Sequence, residues 1–193
     1  MKANDTKIIK LLIENKENNL SINSLAKLLK KDYKNVHNIT SRLKKAGIIE
    51  LQPFGKSYII KLKTKISPLI FEAEYERKEE LLKNKDITIM QGSFNKLHSK
   101  LYILLVFGSY AKKTNKKDSD IDLMFIVPDE AEEKMEKEID SIARTLPLKM
   151  HITIFKETDF KAMKNSKETT VGSEAMKNNI ILNGIESYYE RIK

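Results

Sequence analysis

The sequence of 193 residues contains no cysteine and no long apolar run. Without cysteine the chain can form no disulfide, no thiolate metal site and no cysteine nucleophile, a composition typical of a cytosolic protein. No apolar segment approaches the roughly 20 residues that a helix needs to cross a bilayer, and the N-terminus lacks the apolar core of a signal peptide. We therefore expect a cytoplasmic protein with no membrane partner. Its hydrophobic content of 40% suffices for one large or two small domains.

The second two thirds of the chain has almost no net charge. Residues 66–193 hold 21 Lys and Arg against 22 Asp and Glu, whereas residues 1–65 hold 15 against 5. The formal net charge of +9 therefore comes entirely from the N-terminal segment. This asymmetry favours a polyanion-binding module beside a nearly neutral one, and a lysine-rich solvated surface is the alternative.

The N-terminal segment predicts three short helices. Apolar residues at helical spacing place the first helix over residues 5–18. Asn23 is expected to cap a second helix, and Asp32 a third that ends at Gly47. The third helix should bury a stripe formed by Val36, Ile39, Leu43 and Ala46.

A hairpin should follow the helices, with strands at residues 48–51 and 58–62 and a turn at residues 53–56. This order resembles a winged helix-turn-helix domain, and the wording Ser24-Leu25-Ala26 is similar to that of many prokaryotic transcription factors. The resemblance implies that the third helix enters the major groove of duplex DNA. It would contact DNA through Tyr33, Lys34, Asn35, His37, Asn38, Ser41 and Arg42, with Lys56 and Lys61 of the wing on the backbone. The alternatives are a solvated helix face or a protein contact.

The most informative stretch lies at residues 102–127. An apolar run at residues 102–107 predicts a buried strand that ends at Gly108-Ser109, where the missing Cβ lets backbone amides approach a bound anion. Asp120 and Asp122 open a second apolar strand, and their carboxylates should share one face because strand side chains alternate. Two carboxylates on one face repel each other unless a hard cation lies between them. The pattern therefore suggests Mg²⁺ with a nucleoside triphosphate.

These residues resemble the polymerase-beta-type nucleotidyltransferase superfamily, and most of all its minimal prokaryotic members. Its signature of Gly-Ser, a spacer and Asp-x-Asp between apolar residues is matched by Phe107, Gly108, Ser109, Asp120, Ile121, Asp122 and Leu123. The resemblance implies two Mg²⁺ ions on Asp120 and Asp122, and terminal phosphates held by Gly108 and Ser109. The expected reaction transfers a nucleoside monophosphate from an NTP, with ATP as the expected donor, to an unidentified hydroxyl acceptor.

The sequence departs from this family at two positions. Active relatives carry a third carboxylate on the third strand, expected here at residues 148–155, but Met150-His151-Ile152 stands in its place. His151 could act as the general base instead, or be a strand histidine bonded to backbone. Lys113 stands where the family usually has glycine.

The remaining segments predict helices and one more strand. Ser67-Pro68 should start a charged connector helix, and residues 91–100 a short helix with Phe94, Leu97 and Leu101 inward. Pro128-Asp129 should cap a helix whose buried stripe is Ala131, Met135, Ile139, Ile142 and Leu146. Asp159 should lie at a helix start, and the tail should form a helix, an apolar strand and a helix.

The predicted fold class is α+β, with a winged helix-turn-helix domain at residues 1–65, a connector helix at residues 66–84, and a nucleotidyltransferase domain at residues 85–193. The second domain should be a small mixed sheet flanked by helices. The alternative function is a DNA-binding regulator or antitoxin whose second domain binds nucleotide or a protein partner with little turnover.

Overall fold

The computed structural model describes residues 3–55, 57–63, 66–164 and 171–191. The chain divides into two compact units, Met1–Tyr75 and Glu76–Ile192, and the division falls within one helix, Pro68–Leu81. Helices and a mixed sheet are both present, which confirms the α+β class. None of the helices in the described part of the chain is long and apolar enough to cross a membrane.

The first unit contains three helices followed by a two-stranded antiparallel hairpin, in the predicted order. Its elements are α1 Ala3–Glu14, α2 Ile22–Leu29, α3 Tyr33–Lys45, β1 Ile49–Phe54 and β2 Ser57–Leu62. Asp32 caps α3 as predicted, because its carboxylate accepts the N–H of Asn35 at 2.8 Å. The core of this unit is formed by side chains that include Ile8, Ile9, Leu25, Val36, Ile39 and Leu43.

Several details of the first unit differ from the prediction, beginning with α1, which ends at Glu14 and not at residue 18. Ser21, not Asn23, caps α2, because the Ser21 backbone is extended and its hydroxyl accepts the N–H of Ser24. Ala46 is exposed, and Thr40 is buried in the stripe of α3 instead.

The hairpin turn is shorter than predicted, because Pro53 and Phe54 belong to β1 and pair with Tyr58 and Ser57. Pro53 is tolerated there because β1 has only one neighbour in its sheet, so one edge needs no N–H donor. Lys56 lies outside the described residues.

Helix α4, Pro68–Leu81, begins at Pro68 as predicted and ends three residues before the predicted connector does, at residue 84. Its side chains Leu69, Ile70 and Ala73 are all buried. The apolar periodicity of the sequence did not predict this buried patch, because five glutamates are spread around the rest of the helix.

The second unit is built on a four-stranded mixed sheet of β3 Ile103–Phe107, β4 Ile121–Val127, β5 Met150–Lys156 and β6 Ile180–Asn183, in the order β5-β4-β3-β6. Strand β3 is antiparallel to β4 and β6, and β4 is parallel to β5. Along the chain, the elements are α5 Lys85–Phe94, β3 Ile103–Phe107, α6 Gly108–Ala111, β4 Ile121–Val127, a 3₁₀ turn Asp129–Ala131, α7 Glu132–Arg144, β5 Met150–Lys156, α8 Glu157–Lys164, α9 Val171–Lys177, β6 Ile180–Asn183 and α10 Ile185–Arg191.

One face of this sheet packs against α5 and α7. Leu104, Val106, Leu123 and Phe125 form a core with helix side chains that include Ile87, Met90, Phe94, Met135 and Ile139. Alternate residues of β3 and β4 supply this face, as the period of a strand requires. The stripe predicted for α7 is confirmed, with Ile142 and Leu146 partly buried against the same core.

Helix α5 begins six residues before the predicted start, because Asn84 caps it by accepting the N–H groups of Asp86 and Ile87. The prediction that Leu101 points inward is wrong, since its side chain is 75% exposed. Tyr102 enters the core instead and donates its hydroxyl to the carbonyl of Phe94 at 3.2 Å.

Asp129 does not cap α7, because it is the first residue of a 3₁₀ turn that ends at Ala131, the residue that precedes α7. Its carboxylate accepts hydrogen bonds from the N–H and hydroxyl of Thr158, at 3.2 and 3.1 Å. Asp159 does lie in the first turn of α8, as predicted.

Candidate active site

Gly108 forms the corner where β3 leads into α6, with a φ of +63°. A Cβ atom at this position would overlap Oδ2 of Asp122 and lie 3.0 Å from its Cγ. The glycine is therefore required twice, once by its backbone conformation and once by the carboxylate that packs against it. The sequence suggested only that glycine would let amides approach an anion.

The sheet register brings Asp122 to this corner. In the antiparallel pairing of β3 with β4, Asp122 lies directly opposite Phe107, the residue before Gly108. The side chain of Asp122 is half-buried, with 29% of its surface exposed, whereas Asp120 precedes the strand and is exposed. The two carboxylates thus differ in their access to water.

Burial raises the pKa of Asp122, because a partly desolvated carboxylate favours its neutral form. The imidazole of His151 lowers this pKa by a smaller amount, and the negative charge of Asp120 raises it further. The carboxylates of Asp120 and Asp122 therefore repel each other. A cation between them would relieve both the repulsion and the cost of burial.

His151 lies directly opposite Asp122 in the parallel pairing of β4 with β5. The third strand therefore lies beside the second. His151 Nδ1 is 3.9 Å from Asp122 Oδ1, which is beyond hydrogen-bond distance, and 80% of the imidazole side chain is exposed. The structure thus brings His151 next to Asp122 and leaves its imidazole exposed to solvent.

Within the described ranges, no three or more His, Asp and Glu side chains form a ready-made metal cluster. Mg²⁺, however, is commonly held through only one or two protein carboxylates, with water and substrate phosphates completing its shell. Asp120 and Asp122 supply two carboxylates at one strand end. The donor set fits a magnesium ion that arrives with its nucleotide.

The basic segment after α6 is held by two glutamates that the sequence did not identify. Lys112 Nζ is 2.7 Å from Glu174 Oε1, and Lys113 Nζ is 3.4 Å from Glu80 Oε2. The bond to Lys112 also lowers the pKa of Glu174. Lys113 has a φ of +57°, which is a conformation that favours glycine and accounts for the glycine usual in the family. No local pattern announces these pairs, because their partners are 62 and 33 residues away.

The predicted DNA-contacting residues lie off the buried stripe of α3. Tyr33, Lys34, Asn35, His37, Asn38 and Arg42 are exposed, and Ser41 is partly exposed. Arg42 is already engaged, because its guanidinium binds the buried carboxylate of Asp5. On β2, Lys61 donates to Asn19 Oδ1 at 3.2 Å. The exposed face of α3 is polar, as predicted, but Arg42 is not fully available to a ligand.

Two family models match the chain, each over one part of it. Residues 87–173 match a family described as a nucleotidyltransferase domain, and residues 1–64 match a family described as HVO_A0114. Comparisons with curated proteins and with solved structures gave no match. The first match covers Gly108, Asp120, Asp122 and His151, and it supports the polymerase-beta-type superfamily for this part of the chain.

Proposed function

We propose, from the nucleotidyltransferase domain matched at residues 87–173, that this protein transfers a nucleoside monophosphate from an NTP, with ATP as the expected donor, to a hydroxyl acceptor. The observation that carries the proposal is the partly buried carboxylate of Asp122, packed against Gly108 and repelled by Asp120. The acidic pair of Asp120 and Asp122, of which only Asp122 is partly buried, is costly for folding alone. It becomes favourable when a cation and a polyphosphate bind. Nucleoside triphosphates are abundant in the cytoplasm, where we place the protein.

Asp120 and Asp122 would hold Mg²⁺, with two ions expected when the triphosphate is bound. Mg²⁺ held by these carboxylates would supply positive charge to offset the negative charge on the triphosphate and on the transferred phosphorus. The raised pKa of Asp122 supports this role, because an ionised carboxylate in this position lacks a compensating positive charge of its own. The protein's part is to keep the two carboxylates side by side.

Gly108 and Ser109 would hold the terminal phosphates. The first N–H groups of a helix have no partner within that helix, and α6 begins at Gly108. Ser109 adds a hydroxyl donor at the same turn. The ammonium groups of Lys112 and Lys113 follow immediately, so a bound triphosphate would compete with Glu174 and Glu80 for them.

His151 would accept the proton of the acceptor hydroxyl. As that proton leaves, the hydroxyl oxygen attacks the α-phosphorus, and the bond from this phosphorus to pyrophosphate breaks. Imidazole is suited to this step near pH 7. It adds no negative charge to the site, so we expect nucleotide binding to be intact and transfer to be slower than in relatives with a third carboxylate.

Calorimetry with ATP and Mg²⁺ tests the proposal. Asp120→Asn and Asp122→Asn should each lose Mg²⁺-dependent binding, because the affinity of a hard-cation site depends on the number and charge of its ligands. Asp118→Asn is the matched control, since Asp118 is an exposed carboxylate in the same segment. Unchanged affinity in Asp122→Asn would overturn the assigned role. A separate incubation of the wild-type protein with labelled NTPs and the cell's proteome would identify the acceptor.

A second function, duplex DNA binding by the first unit, is supported by the exposed polar face of α3 and by the surplus of Lys and Arg in residues 1–65. In this proposal Tyr33, Lys34, Asn35, His37, Asn38 and Ser41 contact DNA, and Arg42 does so only if it leaves Asp5. The protein would then be a regulator whose second unit binds nucleotide with little turnover. A protein partner on the same face is the alternative.

A further inference from the structure

A groove of about 440 Å³ lies on the first unit. It is lined by the first residues of α2, the first residue of α3 and the start of β2, namely Ile22, Asn23, Tyr33, Ser57 and Tyr58. None of these residues belongs to the acidic site of the second unit. The groove therefore needs its own explanation.

Exposed aromatic rings gather at this groove. Tyr33 and Tyr58 line it, and each is 54% exposed. Phe54, which is 60% exposed, lies opposite Ser57 in the hairpin. Tyr33 is also held by a stacked contact with His37, with ring centroids 6.0 Å apart and an interplanar angle of 28°. Aromatic rings left in water lose the free energy that burial would give them, so a cluster of them marks a binding surface.

The charge of the first unit selects the class of occupant. Residues 1–65 carry 15 Lys and Arg against 5 Asp and Glu, and the exposed Lys34 directly follows Tyr33. A positive surface with exposed aromatic rings suits a ligand that combines negative charge with flat apolar rings. Nucleic acid has both, since each phosphate is an anion and each base has a stacking face.

The accessibility of the bases decides between one strand and two. In a duplex both faces of each base are covered by neighbouring pairs, so an aromatic side chain cannot stack without forcing bases apart. In a single strand the base faces are available, and stacking on an aromatic side chain is tolerant of sequence.

We propose that the groove lined by Tyr33 and Tyr58 binds single-stranded nucleic acid by stacking unpaired bases on these rings, while the basic surface of the unit attracts the backbone. This extends the proposed DNA-binding role of the first unit and is independent of nucleotidyl transfer. It assigns the groove a ligand that the polar face of α3 alone does not imply.

Fluorescence anisotropy with a labelled oligothymidine, measured on the full chain at low salt, tests the proposal. Tyr33→Ala and Tyr58→Ala should each weaken binding about 5- to 150-fold, which is the range expected for loss of one stacked base. Tyr33→Phe and Tyr58→Phe keep the ring and should bind within about twofold of wild type. Leu28→Ala is the matched control, because Leu28 is 54% exposed on α2 but does not line the groove.

Three outcomes separate the possibilities. Tighter binding of oligothymidine or oligouridine than of the matching duplex, with loss in both alanine variants, supports the proposal, and the preferred sugar identifies DNA or RNA. Preference for duplex, unaffected by Tyr58→Ala, overturns the proposal but leaves duplex binding by α3, to which Tyr33 contributes, intact. Absence of any nucleic-acid binding overturns both and favours a protein partner. Calorimetry with ATP and Mg²⁺ on the same samples reports separately on the acidic site, and unchanged melting curves show that the variants fold.

Discussion

At the scale of single residues, the contact between Gly108 and Asp122 determines the candidate site. The glycine has a positive φ, and the space of its missing side chain is filled by the carboxylate. Taken separately, Gly108 would be an ordinary turn residue and Asp122 an ordinary polar residue near the end of a strand. Together they show that the carboxylate lies against the backbone of the turn.

Gly108→Ala is expected to lower the free energy of unfolding by about 1–3 kcal/mol, because the new methyl group overlaps Asp122 and the backbone conformation disfavours a side chain. Gly92→Ala is the matched control. Gly92 lies within α5, a Cβ there meets no atom within 4 Å, and alanine should stabilise the helix by about 0.5–1 kcal/mol. Urea denaturation of both variants measures the difference, and equal effects would contradict the assigned contact.

Asp122→Asn is expected to stabilise the protein at neutral pH. Burial and Asp120 raise the pKa of Asp122 in the folded state, so the ionised carboxylate costs folding free energy. This cost is absent below the unfolded-state pKa of about 3.9 and is complete above the raised folded pKa. The melting temperature of the variant should therefore exceed that of wild type at pH 7, and the excess should shrink as the pH falls toward about 4.

Thermal melts without Mg²⁺ measure this excess, and a gain of about 1 kcal/mol corresponds to about 2–4 °C for a chain of this size. The exposed Asp118 again provides the control, since Asp118→Asn should leave the melting temperature almost unchanged. A variant at position 122 that melts below wild type at pH 7 would show that the carboxylate is stabilised by a partner.

His151→Asp is expected to increase the transfer rate or the affinity for Mg²⁺ by about tenfold or more, because it adds a third negative charge opposite Asp122. Thr153→Asp is the control, since Thr153 shares the face of His151 but lies about 6–7 Å further along β5. Steady-state kinetics and Mg²⁺ titration measure both variants. If His151→Ala keeps the full wild-type rate, another group is the base.

At the scale of elements, the two lysines directly after α6 form ion pairs with glutamates of two other helices. Lys113 adopts a φ of +57° and forms an ion pair with Glu80 of α4, and Lys112 pairs with Glu174 of α9. Both pairs are substantially exposed, and such pairs contribute only about 0–1 kcal/mol each. They position the basic segment more than they stabilise it.

Lys113→Gly is expected to be more stable than Lys113→Ala by about 1 kcal/mol. Both variants lose the ion pair with Glu80, but only glycine removes the cost of the left-handed conformation. Chemical denaturation of the two variants makes the comparison independent of the lost charge. Equal stability would show that the segment does not keep the positive φ.

At the scale of the whole molecule, the two units differ in charge as well as in fold. The first carries the positive surplus, and the second carries the acidic pair on a nearly neutral background. Lys and Arg side chains of the first unit can bind phosphates directly. The carboxylates of Asp120 and Asp122 in the second unit can lie beside phosphates only when a cation is bound between them.

Binding of duplex DNA by the full chain is expected to depend strongly on salt. Each phosphate that is neutralised contributes about −0.9 to the slope of log K against log salt, so five contacts would give a slope of about −4.5. Lys34→Ala should make the slope shallower by about 0.9. Lys137→Ala is the control, because Lys137 lies on α7 and pairs with Glu133 at 2.6 Å. Binding with a flat salt dependence would argue against phosphate contacts by the first unit.

The sequence was sufficient to predict the features that depend on neighbours only a few residues away along the chain. Asp32 as a helix cap, the stripe of Val36, Ile39 and Leu43, and the two apolar strands that flank Gly108 and Asp122 were all predictable. These features follow from hydrogen bonds and apolar periodicity that act over a few residues. The Gly-Ser turn and the strand that begins within Asp-x-Asp were predictable for the same reason.

Contacts between segments that are distant in the sequence could be identified only in the tertiary structure. The antiparallel register of β3 and β4 brought Asp122 against Gly108, and the parallel pairing of β4 and β5 brought His151 opposite Asp122. Packing also exposed Leu101, although its apolar side chain predicted burial. Strand order and register are set by how whole hydrophobic faces pack together, so no short stretch of sequence contains them.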